Sequence, residues 1–442
     1  MYIKTLRIPV HYATTKRKRN ILNRLTARLS YAVRLWCKLI EENNIKTRSQ
    51  LENINLQHRV QEKTRLSAGF VQQAGNKALW MWTSYREQHA IWKRMLSKTK
   101  LGSKWYNKLL KREPKPPCTS KHSLLKKQPV RFDPRTGKIE KANLKLTSYV
   151  AHISTLVKGE TINVPLNPCE YHRQLLEKGT VRDFELVWDD SRGWMVHAAV
   201  AFQSMLQPVA EFMGVDLGVC RAASTVLIVP SKKPHGHKIF RSGKLKLQRL
   251  NDHISHLQRL GKYKALNRLR NKRRNVSEYY DWLLANELAE SCKNVLVVFG
   301  SPGYIRYNNY RGNNKQYLRK LLQSWSFRRQ TRYAQAKLNE RGIQSLVLNE
   351  WGTSNRCHRC HGKVERPYKG SWRRMKCLSV KCGLEYDSDF GGAANTAQRG
   401  ISVLRVKSPA DLVLNGAGAP VERARTRDDS AEKVDEPRSP TF

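Results

Sequence analysis

The sequence predicts an α+β multidomain fold, and three observations carry that prediction. Alternating apolar residues at the N-terminus resume after about residue 130, with two long amphipathic helical stretches between them. At Val209 the texture changes to short apolar runs separated by helical segments. Late in the chain four cysteines, Cys357, Cys360, Cys377 and Cys382, stand in two close pairs.

The first segment alternates at Ile3, Leu6, Ile8 and Val10, which predicts a strand. Leu22, Leu25, Leu29, Val33, Trp36 and Ile40 then recur at three or four residues, the spacing of one helix face, with Arg24, Arg28 and Arg34 on the other. A second helix is predicted from about Lys63 to Lys98. Its Trp80, Trp82 and Trp92 either pack between helices or stack on bases. Residues 99–128 are basic and broken by Pro114, Pro116 and Pro117, so they read as a loop. Period-two runs follow. Phe184, Leu186 and Trp188 face Trp194, Val196 and Val200 across a five-residue hairpin loop, Asp189–Gly193. Strands before and after a helical insert predict one small β-barrel interrupted by a helical lobe. That half carries no catalytic constellation.

In the second half, AEFMGVDLGV places Asp216 at a strand end between glycines, where a metal-bound phosphate has room. Residues 244–292 form a basic helical segment that includes Lys262, Lys264, Arg268, Arg270, Lys272, Arg273 and Arg274, and NVLVVF is a buried strand. Helical residues from about Lys315 to Arg341 lead to a last strand, Gln344–Leu348, just before Glu350. Phe390 to Leu404 reads as a small-residue helix, and the end, from about Asn415, as a disordered tail.

Four thiolates from one short segment suit tetrahedral Zn²⁺. Such a closed site is structural, so chemistry falls to the carboxylates on either side. Cys37, Cys118, Cys169, Cys220 and Cys292 are scattered, and the nine cysteines fit a reduced compartment with a metal cluster. Over 442 residues, 83 Lys and Arg face 35 Asp and Glu, a formal charge of +48. That charge points to a polyanion, nucleic acid above all, and argues against a small acidic substrate. No apolar run approaches the roughly 20 residues that span a bilayer. MYIKTLRIPV shows no signal peptide. The expected location is cytoplasmic and nucleoid-associated in a prokaryote, or nuclear in a eukaryote.

GVDLG at 214–218, the late four-cysteine finger and DSDFGGAANTA at 387–397 resemble the RuvC-like nuclease of TnpB proteins, which insertion-sequence transposons encode. Those are relatives of compact type V CRISPR effectors and of Fanzor proteins. The resemblance implies a wedge-like β-barrel over 1–12 and 126–205 and a helical recognition lobe over 13–125. It implies an RNase H-like (RuvC) nuclease domain over 206–352 and 388–410, a zinc finger over 353–387 and a tail over 411–442. The implied activity is RNA-guided DNA cleavage with two Mg²⁺ and one structural Zn²⁺. The implied partners are a transposon-derived guide RNA and double-stranded DNA carrying a short adjacent motif, with one or two protein copies acting.

Asp216 matches the family's first catalytic Asp and Asp389 its last. Gly391 and Gly392 replace the usual Asn and Ala. The middle carboxylate, which the family carries at the end of the fourth strand, is missing: Phe299 or Gly300 occupies its place. Two readings follow. Either the nuclease is dead and binds its target without cutting, or Glu350 has taken over from the neighbouring fifth strand, about 4.8 Å away. Glu287 and Glu290, in the helix before the strand, and Glu385, in the finger, are weaker substitutes. A guide-free transposase is a third possibility.

Overall fold

In the computed structural model, residues 1–117, 128–157, 159–269, 271–302, 321–322, 324–368 and 373–406 are described. Cys118, Arg270, the start of the helix expected from Lys315 and the C-terminal tail lie outside these residues. The chain divides into two compact units, Met1–Gln203 and Ser204–Phe442.

The first unit holds two antiparallel sheets. One contains β1 (Tyr2–Pro9), β2 (Val130–Phe132), β6 (Thr180–Asp189) and β7 (Gly193–Phe202) in the order β1-β7-β6-β2. The other runs β3 (Gly137–Leu144), β4 (Thr147–Ser154), β5 (Thr161–Pro165). A single bridge, Val10 to Leu166, joins the chain at the end of β1 to the chain after β5. Leu6, Ile8, Phe132, Ala151, Val164 and Val196, from both sheets, bury into one core with the helices.

Those helices are led by α1 (Lys16–Glu42) and α4 (Ala68–Ser97), with α2 (Arg48–Leu51), α3 (Ile54–Thr64), α5 (Lys104–Leu110) and α6 (Glu170–Lys178) around them. The apolar stripe of α1 is buried from Leu22 to Ile40 and packs on Phe70, Ala74 and Ala78 of α4. Trp36 Nε1 donates to Val71 O at 3.0 Å and Trp82 Nε1 to Cys37 O at 2.9 Å, so both indoles are satisfied inside. Trp92 likewise donates to Leu109 O, while Trp80 is 65% exposed with Lys77 over its ring.

Three local expectations need correction. The stretch read as one helix from Lys63 breaks at Arg65, which takes a left-handed conformation (φ 53°) between α3 and α4. The basic loop of 99–128 contains α5, because Ser103 caps it by accepting from Tyr106 N. The hairpin loop has three residues, since Asp189 pairs with Gly193. Asp189 Oδ1 accepts from the Ser191 and Arg192 N–H groups and closes the turn tightly.

In the second unit a five-stranded sheet runs β10-β9-β8-β11-β12, built from β8 (Glu211–Leu217), β9 (Arg221–Ile228), β10 (His235–Arg241), β11 (Val295–Ser301) and β12 (Ser345–Asn349). The first three strands pair antiparallel, whereas β8/β11 and β11/β12 are parallel. Parallel strands need both faces covered. Met213, Val215, Val297 and Phe299 face a core completed by α9 (Lys272–Glu290) and α10 (Phe327–Glu340). Phe212, Leu296 and Val298 face α11 (Ser388–Val403). The basic segment before α9 is not one helix: α7 (Lys244–Arg259) and α8 (Tyr263–Leu269) precede it, and Gly261 turns between them at φ 62°.

Helix α11 lies very close to β8, which explains its run of small residues. A Cβ on Gly214 would fall 1.9 Å from Ala393 O, so only glycine fits at that crossing. Between β12 and α11 a small antiparallel sheet forms from β13 (Val364–Glu365), β14 (Arg374–Cys377) and β15 (Glu385–Asp387).

Candidate active site

Strand alternation decides where Asp216 points. Its neighbours Val215 and Leu217 enter the core under α9 and α10, so Asp216 faces α11. There its Oδ2 presses on Gly392, where an added Cβ would lie only 2.4 Å away. A glycine at 392 therefore leaves room for this carboxylate. Gly391 answers a different neighbour, since a Cβ there would meet the Tyr386 ring at 2.2 Å.

Glu350 begins the turn after β12. The parallel register pairs Gly300 with Leu348 and Ser301 with Asn349, so the chain turns at Glu350 beside the end of β11. Its side chain folds back over Gly300. A Cβ built on Gly300 would sit 3.2 Å from Glu350 Cβ and 3.4 Å from its Oε2. On β8, Val215 pairs with Phe299, which makes Asp216 the strand neighbour of Gly300.

Asp389 stands in the first turn of α11. Asp387 caps that helix by accepting from Asp389 N at 2.9 Å. Glu350 and Asp389 stand near enough for their charges to act on Asp216, but one oxygen from each of the three carboxylates does not come within 4.8 Å of the other two, as the finger's four thiols do. Burial pushes the Asp216 carboxyl up to about 8, and the charges of Glu350 and Asp389 add to the effect. Desolvation pushes Glu350 up to about 7. Carboxylates such as Asp216 and Glu350, raised by burial, favour either a proton or an added cation. An all-oxygen donor set of this kind suits a hard divalent ion such as Mg²⁺. The weaker substitutes lie elsewhere: Glu290 pairs with Arg341, Glu385 pairs with Arg374 and Lys376, and Glu287 lies on α9.

The loop carrying Glu350 is tied to α11 by three side chains. Asn395 Nδ2 donates to Thr353 O at 2.6 Å and to Arg356 O at 2.8 Å. Gln398 donates to His358 O and Arg399 to Trp351 O. Arg221, which no sequence motif flagged, reaches from β9 to Asp387 and Asp389.

The four cysteines gather in the finger, their Sγ atoms all within 4.8 Å of one another. Cys357 and Cys382 stand 3.9 Å apart and Cys360 and Cys377 3.4 Å. Tetrahedral Zn²⁺ with bonds of 2.3 Å requires sulfurs about 3.8 Å apart, so the set fits. The N–H of Gly362, and then the Cys377 thiol, lower the Cys360 thiol to about 7.

Beside the turn after β8 lies a cavity of about 740 Å³, lined among others by Gly218, Arg241, Lys244, Arg273, Tyr280 and Trp325. No helix among the described residues is long and apolar enough to cross a membrane.

Residues 327–396 match the family model of the Cas12f1-like TNB domain, a stretch that holds Glu350, all four cysteines and Asp389. No curated protein matches the chain. Among solved structures, the chain resembles Cas12f1 in its complex with sgRNA and target DNA. The identity is 12%, 87% of this chain and 83% of that one are covered, and the TM-score is 0.56. The mini-RNA-guided endonuclease CRISPR-Cas_phi3 (10% identity, 96% and 93% covered, TM-score 0.49) and CasPhi-2, or Cas12j, bound to crRNA (7%, 96% and 99%, 0.48) also match. The likeness is one of fold, and it rests on the first of the three. The chain has a mixed α/β multidomain fold that resembles that of Cas12f1, and it carries a four-cysteine cluster.

Proposed function

We propose that this chain is an RNA-guided DNA endonuclease whose RuvC-like site uses Asp216, Glu350 and Asp389. The observation that carries the reading is the Glu350 carboxylate folded over Gly300, where the resembled family has its middle acid. The strand order β10-β9-β8-β11-β12, with β8 central between an antiparallel and a parallel partner, supports an RNase H-like sheet. The motifs and the finger support a TnpB-type, transposon-derived member. In this reading the two sheets of residues 1–203 form the barrel-like domain and α1–α5 the recognition lobe.

Asp216, Glu350 and Asp389 supply the oxygens that would hold two Mg²⁺, and Cys357, Cys360, Cys377 and Cys382 the sulfurs that would hold Zn²⁺. When bound, the Mg²⁺ pair supplies an activated water and stabilises the leaving oxygen of a phosphodiester. Asp216 is held against Gly392 of α11, which fixes its carboxylate on that side of the cluster. Asn395, Gln398 and Arg399 fix the turn that aims Glu350 inward. The finger, closed on itself, braces that turn. Cas12f1 was solved with sgRNA and target DNA, and we carry both partners to this chain. Its charge of +48 supports them. So does the first turn of α1, where Lys16, Arg17, Lys18 and Arg19 crowd the helix end that disfavours positive charge.

The test is to purify the protein with its RNA, sequence that RNA, and offer DNA matched to it with and without Mg²⁺. Cutting of matched DNA only with Mg²⁺ is the expected result. Binding without cutting would make the protein an RNA-guided repressor, and purification free of RNA would favour a guide-free transposase.

A further inference from the structure

Arg221 opens β9, five residues after Asp216, and its guanidinium crosses to the first turn of α11. Its Nη1 donates to both oxygens of Asp387, at 3.1 and 3.0 Å, and to Oδ2 of Asp389, at 2.8 Å. The contact is sheltered: the Arg221 side chain is 18% exposed and the two carboxylates 32% and 34%. Sheltered pairs act at a lower effective dielectric than surface pairs and are less screened by salt.

The helix does not need this arginine for its cap, since Asp387 already accepts from Asp389 N. What Arg221 adds is occupancy of Asp389. One oxygen of an acid that belongs to the cluster is taken by a cation tethered to the protein. A guanidinium stays charged at every working pH, so no proton change releases it. A divalent ion binding Asp389 must share or contest the carboxylate with that positive charge, and Asp387 offers the guanidinium a second anchor two residues away.

We propose that Arg221 is a positioning residue that sets the divalent-ion requirement of the cluster by competing for Asp389. The inference rests on the reading of Asp216, Glu350 and Asp389 as a metal-binding set. It differs in sign from a purely structural role. A brace that holds Asp389 in place would, when removed, weaken ion binding. A competitor, when removed, strengthens it.

The measurement is Mn²⁺ binding to the full-length protein, followed through the electron paramagnetic resonance signal of free Mn²⁺. It compares the parent protein with Arg221→Gln, Arg221→Lys, Asp216→Asn and Glu350→Gln. Arg221→Gln is expected to lower the half-saturating Mn²⁺ concentration about three- to tenfold, the effect of removing one nearby positive charge at high effective dielectric. Arg221→Lys, which keeps the charge but replaces the planar guanidinium by a flexible ammonium, should shift it less, in the same direction. An unchanged or raised half-saturation in Arg221→Gln overturns the inference. If that variant does not fold, the same contrary result in Arg221→Lys does so. Mn²⁺ binding lost in Asp216→Asn and Glu350→Gln but indifferent to Arg221 defeats this inference alone. Binding indifferent to Asp216 and Glu350 defeats the metal-site reading beneath it.

Discussion

The four thiols come from one short segment, Cys357 to Cys382, whereas the three carboxylates are spread from Asp216 to Asp389. The thiol cluster closes on itself. Cys377 ends β14 and the other three cysteines sit in the finger's loops, where backbone bonds such as Cys357 N to Gly362 O shape the site locally. The acid cluster is assembled by the whole sheet: a strand end, the turn after another strand and the first turn of a helix. Its members repel one another, and burial raises two of them well above the usual carboxylate range. One cluster therefore supports the fold around it, and the other strains it for the sake of what it can bind.

The largest effect expected from this contrast is on cleavage. Asp216→Asn or Asp389→Asn should lower the cutting of guide-matched DNA by about 10²–10³-fold or more, the scale of losing one group that stabilises a transition state. RNA binding, measured by filter retention, should stay within about twofold, because that term would come from the chain's many Lys and Arg meeting phosphates rather than from these acids. A parallel loss of RNA binding would mean that the acids support the fold.

Removing the finger's metal should act in the opposite way. Cys377→Ser, or a strong chelator, should unfold the finger, because structural zinc sites contribute folding free energy directly. Hydrogen exchange would show the change as lost protection over 356–387, with the five-stranded sheet still protected. Uniform loss across both would erase the distinction between a local site and an assembled one.

Gly392→Ala probes the crossing where the acid cluster meets α11. Its Cβ would press on Asp216 Oδ2, and overpacking of this kind costs about 1–3 kcal/mol. Cleavage should fall along with the melting temperature. Asn395→Ala should cost about 1–3 kcal/mol as well, since it removes the side-chain donor of the Thr353 carbonyl and leaves the Arg356 carbonyl with only the long bond from the Tyr386 hydroxyl.

A smaller effect concerns pH. Asp216 binds its proton more tightly folded than unfolded, so its contribution is fully present below about pH 4. It is lost as pH rises toward about 8. Chelator-treated protein should thus lose stability across that window, and Asp216→Asn should melt higher than its parent at pH 8 and close to it near pH 4. Equal melting shifts at both pH values would show that Asp216 is not strained.

The finger was legible in the sequence because cysteine spacing is a local signal. Asp216 was legible from a strand, an acid and a glycine in succession. Glu350 was only half legible. The expected absence of an acid at Gly300 could be read from the letters, but that the Glu350 side chain lies over Gly300 depends on the parallel register of β11 with β12. Arg221 was not legible at all, because its partners stand on a helix at the far end of the unit. The sequence also predicted a longer hairpin loop and an unbroken helix. Those differences trace to the Asp189 turn and to the left-handed Arg65, where one residue's conformation overrides an apolar period.

The cutting rate of Glu350→Gln with its guide RNA bound, in saturating Mg²⁺, tests the central claim most directly. The substitution keeps the shape over Gly300 and removes only the charge. Cleavage should fall as far as it does for Asp216→Asn, with target binding retained. Cutting at the parent rate would contradict the account and leave the cluster with two acids and no third.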